Sequence, residues 1–204
     1  MRPIAAVALL ALALSACSPE RTVEAGADAA AGAIEAIEPA TEPAAAADAI
    51  PPSGDARMDG YGSIDFGMTP DEARAEWTGN PLETLGPAEG SSCHHLHPAG
   101  QSSPAQLAFM FEEEMFVRYS TESADITAPG GGRVGMDEAT LQGLYGKRLE
   151  SMPHKYVEGA RVLMSAEDGG SLPSRLVFEL DVDGRVTEWR VGLSPQVGYV
   201  EGCS

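Results

Sequence analysis

The chain has 204 residues, 43% of them hydrophobic, and a formal net charge of −18. From Met58 onward, where the core formers lie, 23 acidic residues stand against 10 basic ones, a charge of −13. Such a surface excludes nucleic acid as a partner, because phosphate binding needs clustered Lys and Arg. It fits solubility and is compatible with a cationic partner.

Residues 1–16 carry one early positive charge, Arg2, then the apolar run Ile4 to Leu14. That run has the length of a signal-peptide core and is too short to cross a bilayer as a helix. The junction Leu14-Ser15-Ala16-Cys17 resembles the bacterial lipobox. The resemblance implies that Cys17 is lipidated, with palmitate among its acyl chains, and becomes the mature N-terminus. Ser18 rather than Asp follows, which by the same resemblance implies the outer membrane, with the protein facing the periplasm. An ordinary cleaved signal with an incidental cysteine is the alternative, and it also places the protein outside the cytoplasm. Residues 17–57 read as the lipidated cysteine and a disordered tether, rich in Ala, Glu and Pro and poor in large side chains. Its forty residues span roughly 35 Å as a flexible coil.

Gly67-Met68-Thr69-Pro70-Asp71-Glu72 opens a helix: Thr69 caps it, Pro70 suits the first turn, and Glu72 closes a capping box. Ala73 and Trp77 share one face. A loop punctuated by Gly79, Pro81, Gly86, Pro87 and Gly90 follows, then a short strand from Ser92 to His97. Gln106 to Phe111 alternates as a half-buried strand, Glu112–Glu114 turns, and Met115 to Thr121 returns. Asp125 to Gly132 reads as a hinge. Sixty-eight residues after the first Gly-Met, Gly135-Met136-Asp137 opens a second helix with Leu141, Leu144 and Tyr145 as its stripe, so that Tyr145 aligns with Trp77. Strands over Leu149–Val157 and Ala160–Ser165 flank a Glu158-Gly159 turn. Leu176–Val182 and a return strand with Thr187, Trp189, Val191 and Leu193 on one face flank Asp183-Gly184. The expected fold class is α+β: two tandem units, 58–132 and 133–204, each a short helix packed on an antiparallel meander.

Phe66-Gly67-Met68-Thr69 with Asp71-Glu72-Ala73 and a following sheet resembles the small assembly-lipoprotein (SmpA/OmlA-type) domain. Two such units in tandem resemble the β-lactamase-inhibitory-protein fold. The stretch around Cys93, Pro153 to Gly159 and Glu201-Gly202-Cys203 resemble secreted proteobacterial proteins sometimes labelled lectin-like. These resemblances imply an envelope protein that binds other proteins without catalysis.

Candidate chemistry centres on Cys93-His94-His95-Leu96-His97. On a strand, Cys93, His95 and His97 share a face within reach of one metal ion. With Cys17 lipidated in an oxidising compartment, however, Cys93 and Cys203 form the obvious pair. A bond between two molecules, or two free thiols, are the alternatives. A disulfide leaves His95 and His97 without an evident third ligand. Glu179 to Val186 imitates half an EF-hand loop, but Glu at position one and Arg190 at position twelve do not fit. His154, Lys155 and Tyr156 form a candidate binding surface. The sequence thus reads as a lipid-anchored envelope protein, membrane-bound through its N-terminal lipid, that is not an enzyme, needs no cofactor, and binds another envelope protein or a glycan. A small periplasmic hydrolase or metal-dependent enzyme using His94, His95 and His97 is the alternative.

Overall fold

The computed structural model describes residues 49–86 and 91–203. The expected leader, Cys17 and residues 18–48 of the expected tether lie outside them. A small hairpin of β1 (Gly60–Tyr61) and β2 (Ile64–Asp65) precedes helix α1 (Pro70–Glu76). Four strands follow: β3 (Leu82–Leu85), β4 (Cys93–Pro98), β5 (Ala108–Glu112) and β6 (Met115–Thr121). Helix α2 (Glu138–Tyr145) then leads into β7 (Leu149–Pro153), β8 (Arg161–Ser165), β9 (Ser174–Leu180) and β10 (Val186–Leu193). Strands β3 to β10 form one antiparallel sheet in the order β3-β4-β5-β6-β10-β9-β8-β7. The protein is α+β, with β6 and β10 paired at the centre of the sheet.

Local chemistry sets both helix starts. The Thr69 hydroxyl accepts from the Glu72 N–H, and the Glu72 carboxylate accepts from the Thr69 N–H. Asp137 accepts from the Thr140 N–H. The Gly-Met pairs dock alike. Gly67 N–H donates to Phe116 O and Phe116 N–H to Met68 O; Gly135 N–H donates to Val186 O and Val186 N–H to Met136 O. Both glycines hold positive φ, +92° and +87°, a backbone conformation that is strained for a residue with a Cβ. The helix C-terminal rings also land alike: Trp77 lies 5.2 Å from Phe109 on β5, and Tyr145 lies 5.4 Å from Phe178 on β9.

These contacts build one aromatic core on the helix-bearing face, with Tyr61, Phe66, Phe116, Tyr119 and Trp189 among its fully or nearly buried members. Burial at this scale is the main stabilising term.

Several expectations need correction. Ala56 is buried and Ile50 packs against the core, so the folded body reaches back into the stretch assigned to the tether through residue 57. The loop after Trp77 contains β3, whose exposed Glu83-Thr84 pair gave no apolar alternation. Strand β5 is not half-buried: Leu107, Phe109 and Phe111 enter the main core, while Met110 packs with Cys93 and Val117 on the opposite face. Leu144 is 41% exposed rather than part of the α2 stripe. Thr187 is exposed because a register shift between Val186 and Glu188 returns Val186 to the core face. The strand expected to run to Val157 stops at Pro153, and residues 154–160 form a loop. The expected hinge is clamped: the Tyr145 hydroxyl donates to Pro129 O and accepts from the Gly132 N–H. A Cβ on Gly132 would stand 2.5 Å from the Phe178 ring, so glycine serves close packing there, not freedom.

Candidate functional site

The site lies on the sheet face opposite the helices. There residues 194–203 run back across β10, β9 and β6 as a strap, which includes a 3-10 turn at Gln196–Gly198. The strap is tied to β4 by a Cys93–Cys203 disulfide, with Cα atoms 5.4 Å apart. The intermolecular and free-thiol alternatives are thus replaced by a bond within one chain.

A buried charge network holds the strap from beneath. Register places Arg118 on β6 opposite Gly192 on β10, where a Cβ would approach the Arg118 Cβ to 2.8 Å. The missing side chain lets β10 lie close against the β6 backbone at Arg118. Arg118 donates to Tyr199 O at 2.5 Å and pairs with Glu188 at 3.3 Å. Burial, and then the neighbouring Arg190, lowers its pKa to about 10. Arg190, 1% exposed, donates from Nε to Val197 O at 2.6 Å. Its Nη1 lies 2.6 Å from Glu179 Oε1 and 3.4 Å from Glu188 Oε1. Burial pushes the Glu188 carboxyl above its usual range against the pull of both arginines. Val197 packs with Val162 and Val177 beside the network.

The same network reaches the loop after β7. His154 Nδ1 accepts from the N–H groups of Tyr156 and Val157, both at 3.1 Å, and so carries its proton on Nε2. That atom faces Glu179 Oε2 at 3.6 Å. His154 is therefore a positioning residue with a side chain 9% exposed, not the half-exposed strand residue its sequence setting suggests. Its neighbours point outward. Tyr156 is 56% exposed, with the Lys155 ammonium 4.8 Å from its ring centroid. The Tyr156 phenol, and then Glu201, raises the Lys155 pKa.

Between this loop and the strap lies a cleft of about 310 Å³, bordered by Lys155, Tyr156, Glu112, Tyr199, Glu201 and the disulfide. Glu112 is fixed there by the Gln196 amide at 2.6 Å. The arrangement offers an exposed ring, an ammonium group and carboxylates, which suits holding a ligand by stacking and polar contacts.

The histidines of β4 diverge. His94 stacks on Phe111 at 5.5 Å on the core side. His97 Nδ1 lies 3.3 Å from Pro98 O. His95 Nε2 lies 4.0 Å from Cys203 Sγ beneath the strap. Among the described residues, no three His, Cys, Asp or Glu side chains are grouped to hold a metal ion. The imitation EF-hand is a turn: Asp181 Oδ1 accepts from the N–H groups of Asp183 and Arg185.

Burial, then Arg118 and His94, lowers the His95 pKa from 6.5 to about 4. The unfolded chain therefore binds a proton between those values that folded His95 refuses. Its contribution is present above pH 6.5 and is lost as the pH falls toward 4. His95→Gln is expected to flatten that part of the stability profile by up to about 3 kcal/mol. Urea unfolding of both proteins at pH 7 and pH 4.5 measures it, and parallel profiles would refute it.

Sequence reasoning does not single out Arg118 or Glu188, and meets Glu179 and Arg190 only as positions of an imperfect EF-hand loop, not as a buried charge network. The available signal is Glu188 and Arg190, opposite charges two apart on a strand rich in core residues.

No protein-family model matches the sequence, and no curated protein does. Among solved structures, an extracellular protein containing a SCP domain from Bacillus anthracis str. Ames is similar at a TM-score of 0.40 and 12% identity. The match covers 70% of this chain and 47% of that one, about half its length. Among the described residues, no helix is long and apolar enough to cross a membrane.

Proposed function

We propose that this protein is a lipid-anchored bacterial envelope protein that binds another envelope protein or a glycan in the cleft, without catalysis. The observation that carries the reading is convergence. Cys93, Lys155-Tyr156 and Glu201-Gly202-Cys203 are far apart in sequence yet border one cleft. Both cleft walls rest on a single buried network, since Glu179 faces His154 and Arg190 holds Val197. Pre-positioned walls lower the ordering cost of binding.

The body is further proposed to be two tandem units meeting near residue 132. The matching Gly-Met backbone bonds and the matching rings of Trp77 on Phe109 and Tyr145 on Phe178 support a duplication. The lipid anchor rests on Leu14-Ser15-Ala16-Cys17. Mass spectrometry of the mature N-terminus is expected to show acylated Cys17, with more than one chain because one alone binds membranes marginally. An unmodified N-terminus at another residue would refute the anchor, and with it the outer-membrane, periplasm-facing placement.

Binding is tested by cross-linked capture in cells. Tyr156→Ala combined with Lys155→Glu is expected to cut capture at least tenfold, about 1.4 kcal/mol, while His97→Ala leaves it intact. Capture indifferent to the double change would remove the cleft from the reading. A stoichiometric metal and an activity lost together in His95→Ala and His97→Ala would replace binding with enzymatic chemistry.

A further inference from the structure

We propose that the Cys93–Cys203 disulfide is a redox latch on the cleft: a dithiol reductant opens it and frees residues 200–203, which form one wall, while the sheet and residues 196–199 stay in place. The inference rests on the cleft being the binding site proposed above.

The strap is held in two distinct stages. Residues 196–199 are fastened to the sheet by non-covalent bonds of high quality. Arg118 donates to Tyr199 O, Arg190 donates to Val197 O, Gln196 bonds Glu112, and Val197 is buried. None of these bonds involves sulfur. Residues 200–203 are held differently. Their covalent tie is the disulfide, and Gly202 lies against the His95 ring, where a Cβ would come within 3.3 Å. Glu201 adds an attraction to the fully exposed Lys155, a kind of pairing that solvent screens strongly. These four residues all border the cleft, as does Cys93, so the sulfurs stand at the wall itself.

The two cysteines differ in exposure. Cys93 is 8% exposed and packs with Met110 and Val117, whereas Cys203 is partly exposed. A thiolate of the dithiol attacks Cys203 Sγ, the S–S bond breaks, and the electron pair leaves on Cys93, which takes a proton. The second thiol of the reductant, as thiolate, then displaces Cys203 from the mixed disulfide. The reductant ends as a disulfide and both cysteines as thiols, a balanced two-electron, two-proton exchange. Neutral Cys93 suits its apolar surroundings. Residues 200–203 then lose their covalent tie and keep non-covalent contacts, among them those of Gly202 and Cys203 with His95 and those of Glu201, and the wall opens.

Backbone NMR order parameters of the full chain, before and after dithiothreitol, test this. In the oxidised protein, residues 200–203 are expected to match residues 196–199 near the rigid value of about 0.85. After reduction they are expected to fall below about 0.6, with 196–199 and β10 unchanged. The double variant Cys93→Ala/Cys203→Ala is expected to reproduce the reduced pattern without reductant. A disulfide that survives dithiothreitol until the protein unfolds overturns the latch. So do order parameters that stay equal in both states, or a loss of order that spreads into 196–199 and β10. Cleft binding is read separately: capture independent of Tyr156 in both redox states defeats the binding reading, whatever the order parameters show.

Discussion

Cys93→Ala/Cys203→Ala is expected to lower the stability of the folded body by about 4–5 kcal/mol at 25 °C. The two cysteines are 110 residues apart, and in the chain-entropy model a loop of that size restricts the unfolded chain by this amount. Alanine is the right replacement at Cys93, because a serine hydroxyl there would be buried beside Met110 and Val117. Each single variant is expected to lose nearly as much as the double, since either change removes the same bond. Against a typical total of 5–15 kcal/mol the loss is large, yet the sheet and its aromatic core stay intact below the lowered midpoint. Urea unfolding measures it. The midpoint is expected to fall while the m-value rises, because an unlinked unfolded chain exposes more surface. A loss under about 1 kcal/mol would mean that the bond constrains little of the unfolded chain.

Arg190→Ala is the other large effect, a loss of roughly 3–5 kcal/mol. The side chain is 1% exposed and is the cation shared by Glu179 and Glu188. Its removal strands Glu179, leaves Glu188 with Arg118 alone, and leaves Val197 O without its donor. Arg190→Lys keeps the charge but not the planar fork that serves a carbonyl and two carboxylates together, and is expected to fall between the two. The loss has a pH signature. Burial already raises the Glu188 pKa above its ordinary 4.5, and losing Arg190 raises it further. A carboxyl with a raised folded pKa contributes stability that is present below its unfolded value and lost as pH rises through the folded one. The deficit of Arg190→Ala is therefore expected to be greatest at pH 7 and to narrow as the pH falls toward 4.5. A deficit that does not change with pH would assign the loss to packing rather than to stranded charge.

The sequence by itself determined what is decided within a few residues of chain. Thr69 and Asp137 cap α1 and α2 because a hydroxyl or carboxylate three residues ahead of an unpaired N–H reaches it without help. The β5–β6 and β9–β10 turns were legible because Glu112–Glu114 and Asp183-Gly184 interrupt alternating apolar runs. Cys93 and Cys203 were the expected pair once the lipobox resemblance set Cys17 aside, but only the tertiary structure chose between a bond within the chain, a bond between molecules and free thiols. What pairs across distance was decided by tertiary structure alone. That β6 meets β10 depends on two meanders closing into one sheet, and no local propensity encodes it. Strand β5 looked half-buried because a period-two pattern shows that faces differ, not what covers the second one; the strap covers it. Nothing in the pattern marks Arg118 or Arg190 as buried, for the same reason. A charge on a strand is cheap in water and needs partners only when something lies over it. Here residues 194–203 supply both the cover and the carbonyls, and fold Lys155, Tyr156 and the disulfide into one cleft.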